Sequence, residues 1–156
     1  MTIAQEMKLK EELSSVREEA LLGLLRTAGV VLKLGERFFA PFGITIPQYN
    51  ILVILRDQEA GLSQVEISER QLVDRSNMTG LIDRLEKRGL VKRTDHPRDR
   101  RTYLVKLTPK GRDLVARARE PYHQEVERLM GCLTSAEARA MAAGLEKLRS
   151  TLGPQA

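Results

Sequence analysis

Residues 78–107 read Met78-Thr79-Gly80-Leu81-Ile82-Asp83-Arg84-Leu85-Glu86-Lys87-Arg88-Gly89-Leu90-Val91-Lys92-Arg93-Thr94-Asp95, then His96-Pro97-Arg98-Asp99-Arg100-Arg101, then Thr102-Tyr103-Leu104-Val105-Lys106-Leu107. Met78, Leu81, Ile82 and Leu85 follow the i, i+3, i+4, i+7 spacing that places apolar side chains on one face of a helix. Asp74 is available to cap its start and Gly89 to end it in a left-handed turn. The runs 90–94 and 102–107 are short and extended, the second alternating Tyr103, Val105 and Leu107 with Leu104 and Lys106, which predicts a β-hairpin. A helix held by one stripe therefore runs directly into a hairpin whose tip carries three arginines around one acid.

Upstream, Gly61-Leu62 precedes Ser63-Gln64-Val65-Glu66, where a Ser three residues before a Glu forms a capping box and opens a short helix. A turn around Leu72 and Val73 joins the two helices, so the segment reads as a helix-turn-helix with a wing. The face of the second helix opposite its apolar stripe presents Arg75, Ser76, Asn77, Thr79, Gly80, Asp83, Arg84 and Lys87, mostly side chains that hydrogen-bond phosphates or base edges. Gly80 in mid-helix costs up to about 1 kcal/mol relative to Ala, which asks for either close approach of a nucleic-acid backbone or tight helix packing. At the tip, an arginine can enter a narrow minor groove while Asp99 holds a neighbouring guanidinium in place; a merely solvated loop is the other reading.

Charge supports the first reading. Residues 70–112 hold thirteen Lys or Arg against five acids, a net +8 in a chain whose total is +5, so the rest sums to −3. Concentrated positive charge is what a phosphate-facing surface needs. The 156 residues suffice for one sizeable core. No apolar run approaches the roughly 20 residues that span a bilayer, and residues 1–20 alternate charge with apolar residues, so a cytoplasmic location without membrane contact is expected.

The flanks are helical in pattern. Residues 13–39 carry apolar side chains at 21, 24, 25, 28, 31, 32, 38 and 39, the spacing of a long helix with a broad buried stripe. Pro41, Gly43 and Pro47 interrupt it, and Tyr49, Leu52, Val53 and Leu55 restart it. Phe38, Phe39 and Phe42 gather at this corner as a core hinge or the wall of a small-molecule pocket. Thr108-Pro109 starts a further helix, Pro121 is expected to kink or break it, and Thr134 to Glu137 forms a second capping box before a last helix through Met141, Leu145, Leu148 and Leu152. The expected fold is mainly α with a small β-hairpin wing. Its parts are an N-terminal dimerisation helix (1–40), the winged helix-turn-helix (45–112) and C-terminal dimerisation helices (113–156). Apolar stripes that the small central module cannot cover point to a two-fold dimer, which sets two recognition helices in successive major grooves.

Together these residues resemble the MarR family of bacterial transcriptional regulators. The resemblance runs from about residue 21 to 152 and rests on residues 43–52, on 75–91 through the recognition helix, on His96 to Arg101 in the wing, and on Val105-Lys106-Leu107-Thr108-Pro109-Lys110-Gly111. It implies a homodimer that covers a palindromic operator on double-stranded DNA, usually as a repressor, and that a small, often phenolic or aromatic anionic effector releases. The resemblance assigns Arg101 to the minor groove and Asp99 to its positioning. Ser76, Asn77, Thr79, Gly80 and Arg84 fall on its groove-facing helix. Arg75, Lys87, Lys92, Arg98 and Arg100 complete the expected DNA-binding set. Gln71 and Leu72 depart from the family's usual Leu and Gly, and Pro121 from its continuous helix.

No Ser-His-Asp set, phosphate loop or carboxylate pair is apparent, so no enzyme activity and no cofactor are expected. His96, His123 and Cys132 have no metal-ligand spacing. Cys132 alone forms no internal disulfide, and a buried apolar cysteine is expected there rather than a thiol sensor. The competing class is a winged-helix protein-interaction or RNA-binding module without operator specificity. Three arginines at the wing tip weigh against a protein partner, and the absence of aromatics from the recognition helix weighs against single-stranded RNA.

Overall fold

The computed structural model describes residues 2–8, 13–71, 77–97 and 101–152. The elements run α1 (Ile3–Glu6), α2 (Val16–Phe39), a 3-10 turn (Ala40–Phe42), α3 (Ile46–Arg56), β1 (Leu62–Ser63), α4 (Gln64–Arg70), α5 (Met78–Lys87), β2 (Val91–Asp95), β3 (Tyr103–Leu107), α6 (Pro109–Met130) and α7 (Ser135–Leu152). They form two compact units, Met1–Val115 and Ala116–Ala156, and α6 spans the boundary. The fold is the expected mainly helical winged helix-turn-helix.

In the first unit the three strands form an antiparallel sheet in the order β1-β3-β2. Val91 pairs with Leu107, Arg93 with Val105, and Lys92 with Lys106. The third strand, β1, joins through Leu62 opposite Val105. Because side chains alternate across a strand, Val91, Val105 and Leu107 enter the core while Lys92 and Lys106 share the other face. Ile51, Leu52 and Leu55 of α3, Ile67 of α4, and Ile82 and Leu85 of α5 complete that core. Each such side chain, fully buried, contributes roughly 1.5–3 kcal/mol.

Local signals set the ends of these elements. Ser63 Oγ accepts the Glu66 N–H at 3.3 Å while Glu66 Oε2 accepts the Ser63 N–H at 2.8 Å, the reciprocal pair of a capping box at the start of α4. These bonds from the Ser63 backbone and hydroxyl hold the Glu66 carboxyl below its ordinary value of 4.5. A lowered folded-state pKa gives stability that is fully present above the unfolded value and is lost as pH falls through the folded one. Glu66→Gln is therefore expected to flatten the decline of the urea midpoint below about pH 4.5 and to leave its shape near neutrality unchanged. An identical acid limb in both proteins would contradict this.

Helix α5 ends in a Schellman motif. Gly89 adopts φ +69°, the Gly89 N–H reaches the Glu86 carbonyl at 2.8 Å, and the Leu90 N–H reaches the Leu85 carbonyl at 3.0 Å. The start of α6 closes over this turn. Thr108 Oγ1 donates to the Gly89 carbonyl at 2.6 Å and accepts the Gly111 N–H at 3.1 Å, while Lys110 Nζ donates to the Arg88 carbonyl at 2.9 Å. A Cβ on Gly111 would overlap the Leu90 carbonyl oxygen and lie 3.0 Å from Leu107 Cδ2. Gly111→Ala is accordingly expected to cost about 1–3 kcal/mol, seen as a lower urea midpoint at unchanged slope.

Several expectations need correction. Helix α5 begins at Met78 with Asn77 in the N-cap position, so Asn77 precedes the helix; Asp74 and the Leu72–Val73 turn lie outside the described residues. Helix α6 continues through Pro121 to Met130. A proline removes one N–H donor, and at this exposed position water can take up the orphaned carbonyl. Cys132 is exposed, not buried. The stripe of α2 is largely unburied within the single chain, with Leu21 at 55% and Leu25 at 61% exposure, in keeping with a stripe that the central module cannot cover. Phe39, by contrast, is buried, edge-to-face with Phe38 at 4.9 Å and tilted against Tyr49 at 4.4 Å between ring centroids, which favours the core-hinge reading. Among the described residues no single helix is long and apolar enough to cross a membrane.

Candidate nucleic-acid interface

Met78, Leu81, Ile82 and Leu85 of α5 are buried, and Thr79, Asp83, Arg84 and Lys87 are exposed on its opposite side, with Asn77 exposed just before the helix. The buried stripe orients the polar face outward, because rotating the helix would expose all four apolar side chains. Gln64 Nε2 of α4 donates to Thr79 Oγ1 at 2.7 Å, tying the two helices together near the start of α5. Gly80 has a third explanation besides the two expected. The carboxamide of Asn77 folds into the space that a Cβ on Gly80 would occupy.

Both acids of α5 share one cation. Arg93 of β2 bridges both, through Nη2 to Asp83 Oδ1 at 2.5 Å and through Nη1 to Glu86 Oε2, and its backbone N–H reaches Glu86 Oε1 at 2.8 Å. Burial pulls the Arg93 guanidinium down, but the hydrogen bonds and charges of Asp83 and Glu86 overcome it and raise the group above its ordinary value. Arg93 thus fixes the strand against the helix, and its single charge offsets half of that on the two carboxylates. At the other end Arg88 donates through Nη1 to the Gly43 carbonyl and through Nη2 to the Phe42 carbonyl at 3.2 Å, linking the end of α5 to the corner after α2.

The hairpin closes with the His96 N–H on the Thr102 carbonyl at 3.2 Å, which leaves Arg101 exposed at the tip. Arg75, Ser76, Arg98, Asp99 and Arg100 lie outside the described residues. Thus Asn77, Thr79, Gly80, Arg84 and Lys87 are grouped along or beside one helix, and Arg101 is on the wing. Lys92 stands apart, on the outer sheet face beside Lys106. The sequence reading missed Gln64, Arg88 and Arg93, whose roles arise from contacts between elements.

The MarR family profile matches residues 44–103, from the approach to α3 through the wing. The HTH-type transcriptional regulator PapX of Escherichia coli is 33% identical over 135 residues, which cover 83% of this chain and 82% of PapX. The chain belongs to the MarR family. Solved members share its fold. The S. aureus MepR–DNA complex superposes with a TM-score of 0.73 at 26% identity, covering 82% of this chain and 95% of MepR. BpsR of Bordetella bronchiseptica, solved for the mechanism by which 6-hydroxynicotinic acid regulates its DNA binding, gives a TM-score of 0.78 at 29% identity, covering 88% of this chain and 97% of BpsR. This MarR-family protein is a DNA-binding transcriptional regulator of the winged helix-turn-helix class. The relatives it matches are regulators, not enzymes.

Proposed function

We propose that this MarR-family regulator binds a palindromic operator as a homodimer, acts as a repressor, and is released by a small aromatic anion. The carrying observation is the two-sided character of α5: four apolar residues buried, Thr79, Arg84 and Lys87 exposed, and its two acids bracketed by Arg93. In this reading the Asn77 carboxamide swings off Gly80 as DNA approaches, so that Asn77, Thr79 and Arg84 reach base edges and Gly80 allows close approach, while Lys87 takes a phosphate. Arg75, Ser76, Arg98, Asp99 and Arg100 extend that surface, and Arg101 enters the minor groove from the wing. Exposed leucines on α2 and α7, among them Leu25 at 61% and Leu148 at 51%, support a second copy as the partner. The effector assignment draws on BpsR, whose DNA binding 6-hydroxynicotinic acid regulates. Such a ligand must bind the DNA-incompetent form better than the competent one, since equal affinity shifts nothing.

Arg101→Ala tests the wing. Operator affinity is expected to fall about tenfold, with a shallower dependence of log K on log salt. Unchanged affinity and slope in a fluorescence-anisotropy titration would remove Arg101 from the interface.

A further inference from the structure

At the root of the wing lies a cleft of about 490 Å³ formed by the end of α3, the sheet and the first turns of α6. Pro109 gives it an exposed apolar wall over the buried Leu55 and Leu107, and Lys92, Lys106 and Arg112 line it with positive charge. Arg56 also borders it, but its guanidinium is engaged by Asp57 at 2.9 and 2.7 Å. Glu59 is the acid among the lining residues.

Lys92 and Lys106 are direct cross-strand partners on the outer face of the sheet. Like charges opposite each other on an antiparallel pair are destabilising. Among the described residues neither ammonium forms an ion pair with a carboxylate. The Lys106 stem is also held. Gly61 adopts φ +85°, and a Cβ there would lie 2.7 Å from Lys106 Cγ and 2.9 Å from the Val105 carbonyl, so the turn between α3 and β1 passes directly over the stem. Arg112 is anchored through Nη1 on the Leu107 carbonyl at 3.2 Å. Side chains that are already fixed lose less freedom when a ligand binds.

We propose that this cleft is a binding site for a small organic anion, a carboxylate or phosphate monoester on an apolar body, with Lys92, Lys106 and Arg112 taking the charged group. Its volume falls in the range of roughly 300–1,000 Å³ typical of small-molecule sites. Lys106 is five residues along the chain from Arg101, at most about 17 Å, and the cleft lies at the root of the wing whereas Arg101 is at its tip.

The test is a titration of the full-length, nitrogen-15-labelled protein with benzoate and with phenyl phosphate, which carry the same ring and separate the two anion chemistries. Saturable shifts of the Lys92, Lys106, Leu107 and Arg112 amides with either probe are expected, and Lys106→Glu should weaken that binding at least about tenfold. Arg112→Gln, which keeps a donor for the Leu107 carbonyl, should weaken it to a lesser degree and serves if the charge reversal does not fold. Non-saturating shifts with both probes in the millimolar range, or affinities unaltered by both substitutions, would overturn the site. Shifts of these amides with a short duplex but with neither small anion would overturn it too, assigning the cations to the DNA backbone.

Discussion

Arg93→Ala is expected to weaken DNA binding about a hundredfold, or near 2.7 kcal/mol, although Arg93 is not itself placed at a base or phosphate. Arg93 holds Asp83 and Glu86, both on the recognition helix, through one guanidinium contact to each and a bond from its backbone N–H to Glu86. Removal of the side chain subtracts one positive charge, leaves Asp83 without its ion pair and Glu86 with only the backbone N–H, and loosens the brace between β2 and α5. The proposed dimer would carry the lesion in both half-sites. The direct loss of folding stability should be smaller, about 1–2 kcal/mol, because Asp83 is more than half exposed and solvent screens the pair. The decisive control is the triple variant Arg93→Ala/Asp83→Asn/Glu86→Gln. Neutralising the acids should restore much of the affinity if repulsion is the cause. Full affinity in Arg93→Ala alone, measured at several salt concentrations, would show that the acids do not face the DNA.

Leu25→Asp is expected to convert the protein to a monomer at micromolar concentration. Leu21, Leu24, Leu25, Val31 and Leu32 leave an apolar stripe exposed along α2, larger than isolated surface leucines require. Across a two-fold axis each substitution is counted twice. Removing two buried leucines at roughly 1.5–3 kcal/mol each raises the dissociation constant by about two to four powers of ten, before the cost of burying an aspartate. Sedimentation velocity reads the outcome directly. A dimer that persists in Leu25→Asp would place the interface elsewhere, and the exposed Met141, Leu148 and Leu152 of α7 would be the next surface to change.

Features encoded within a few consecutive residues were legible before the structure. The capping boxes at Ser63/Glu66 and Thr134/Glu137 both form, with Glu137 Oε2 accepting the Thr134 N–H at 2.7 Å. The stripe from Met78 to Leu85 is buried, Gly89 ends α5, and Pro109 starts α6. What failed depended on length or on distant partners. Strand β1 has two residues, too few to show alternation, and exists because Leu62 finds Val105. Pro121 is expected to kink or break α6, and it does not break it: a single missing N–H in a helix of 22 residues is a local cost that the remaining bonds outweigh. Arg93 read as one more basic residue in a basic segment. Its pairing with Asp83 and Glu86 requires the strand to lie against the helix, which spacing alone does not encode. The broad stripe of α2 is legible as apolar and as more than the small central module can cover, and the fold leaves it exposed as that reading expects.

The central claim is that α5 and the wing of a two-fold dimer read a specific DNA sequence. It is tested most directly by selecting the purified protein against a random duplex pool at physiological salt and titrating what enriches by anisotropy. The account predicts an inverted repeat with half-sites about one helical turn, or 34–36 Å, apart, bound far more tightly than scrambled duplex. Enrichment of no sequence, with only weak and steeply salt-dependent binding, would contradict it.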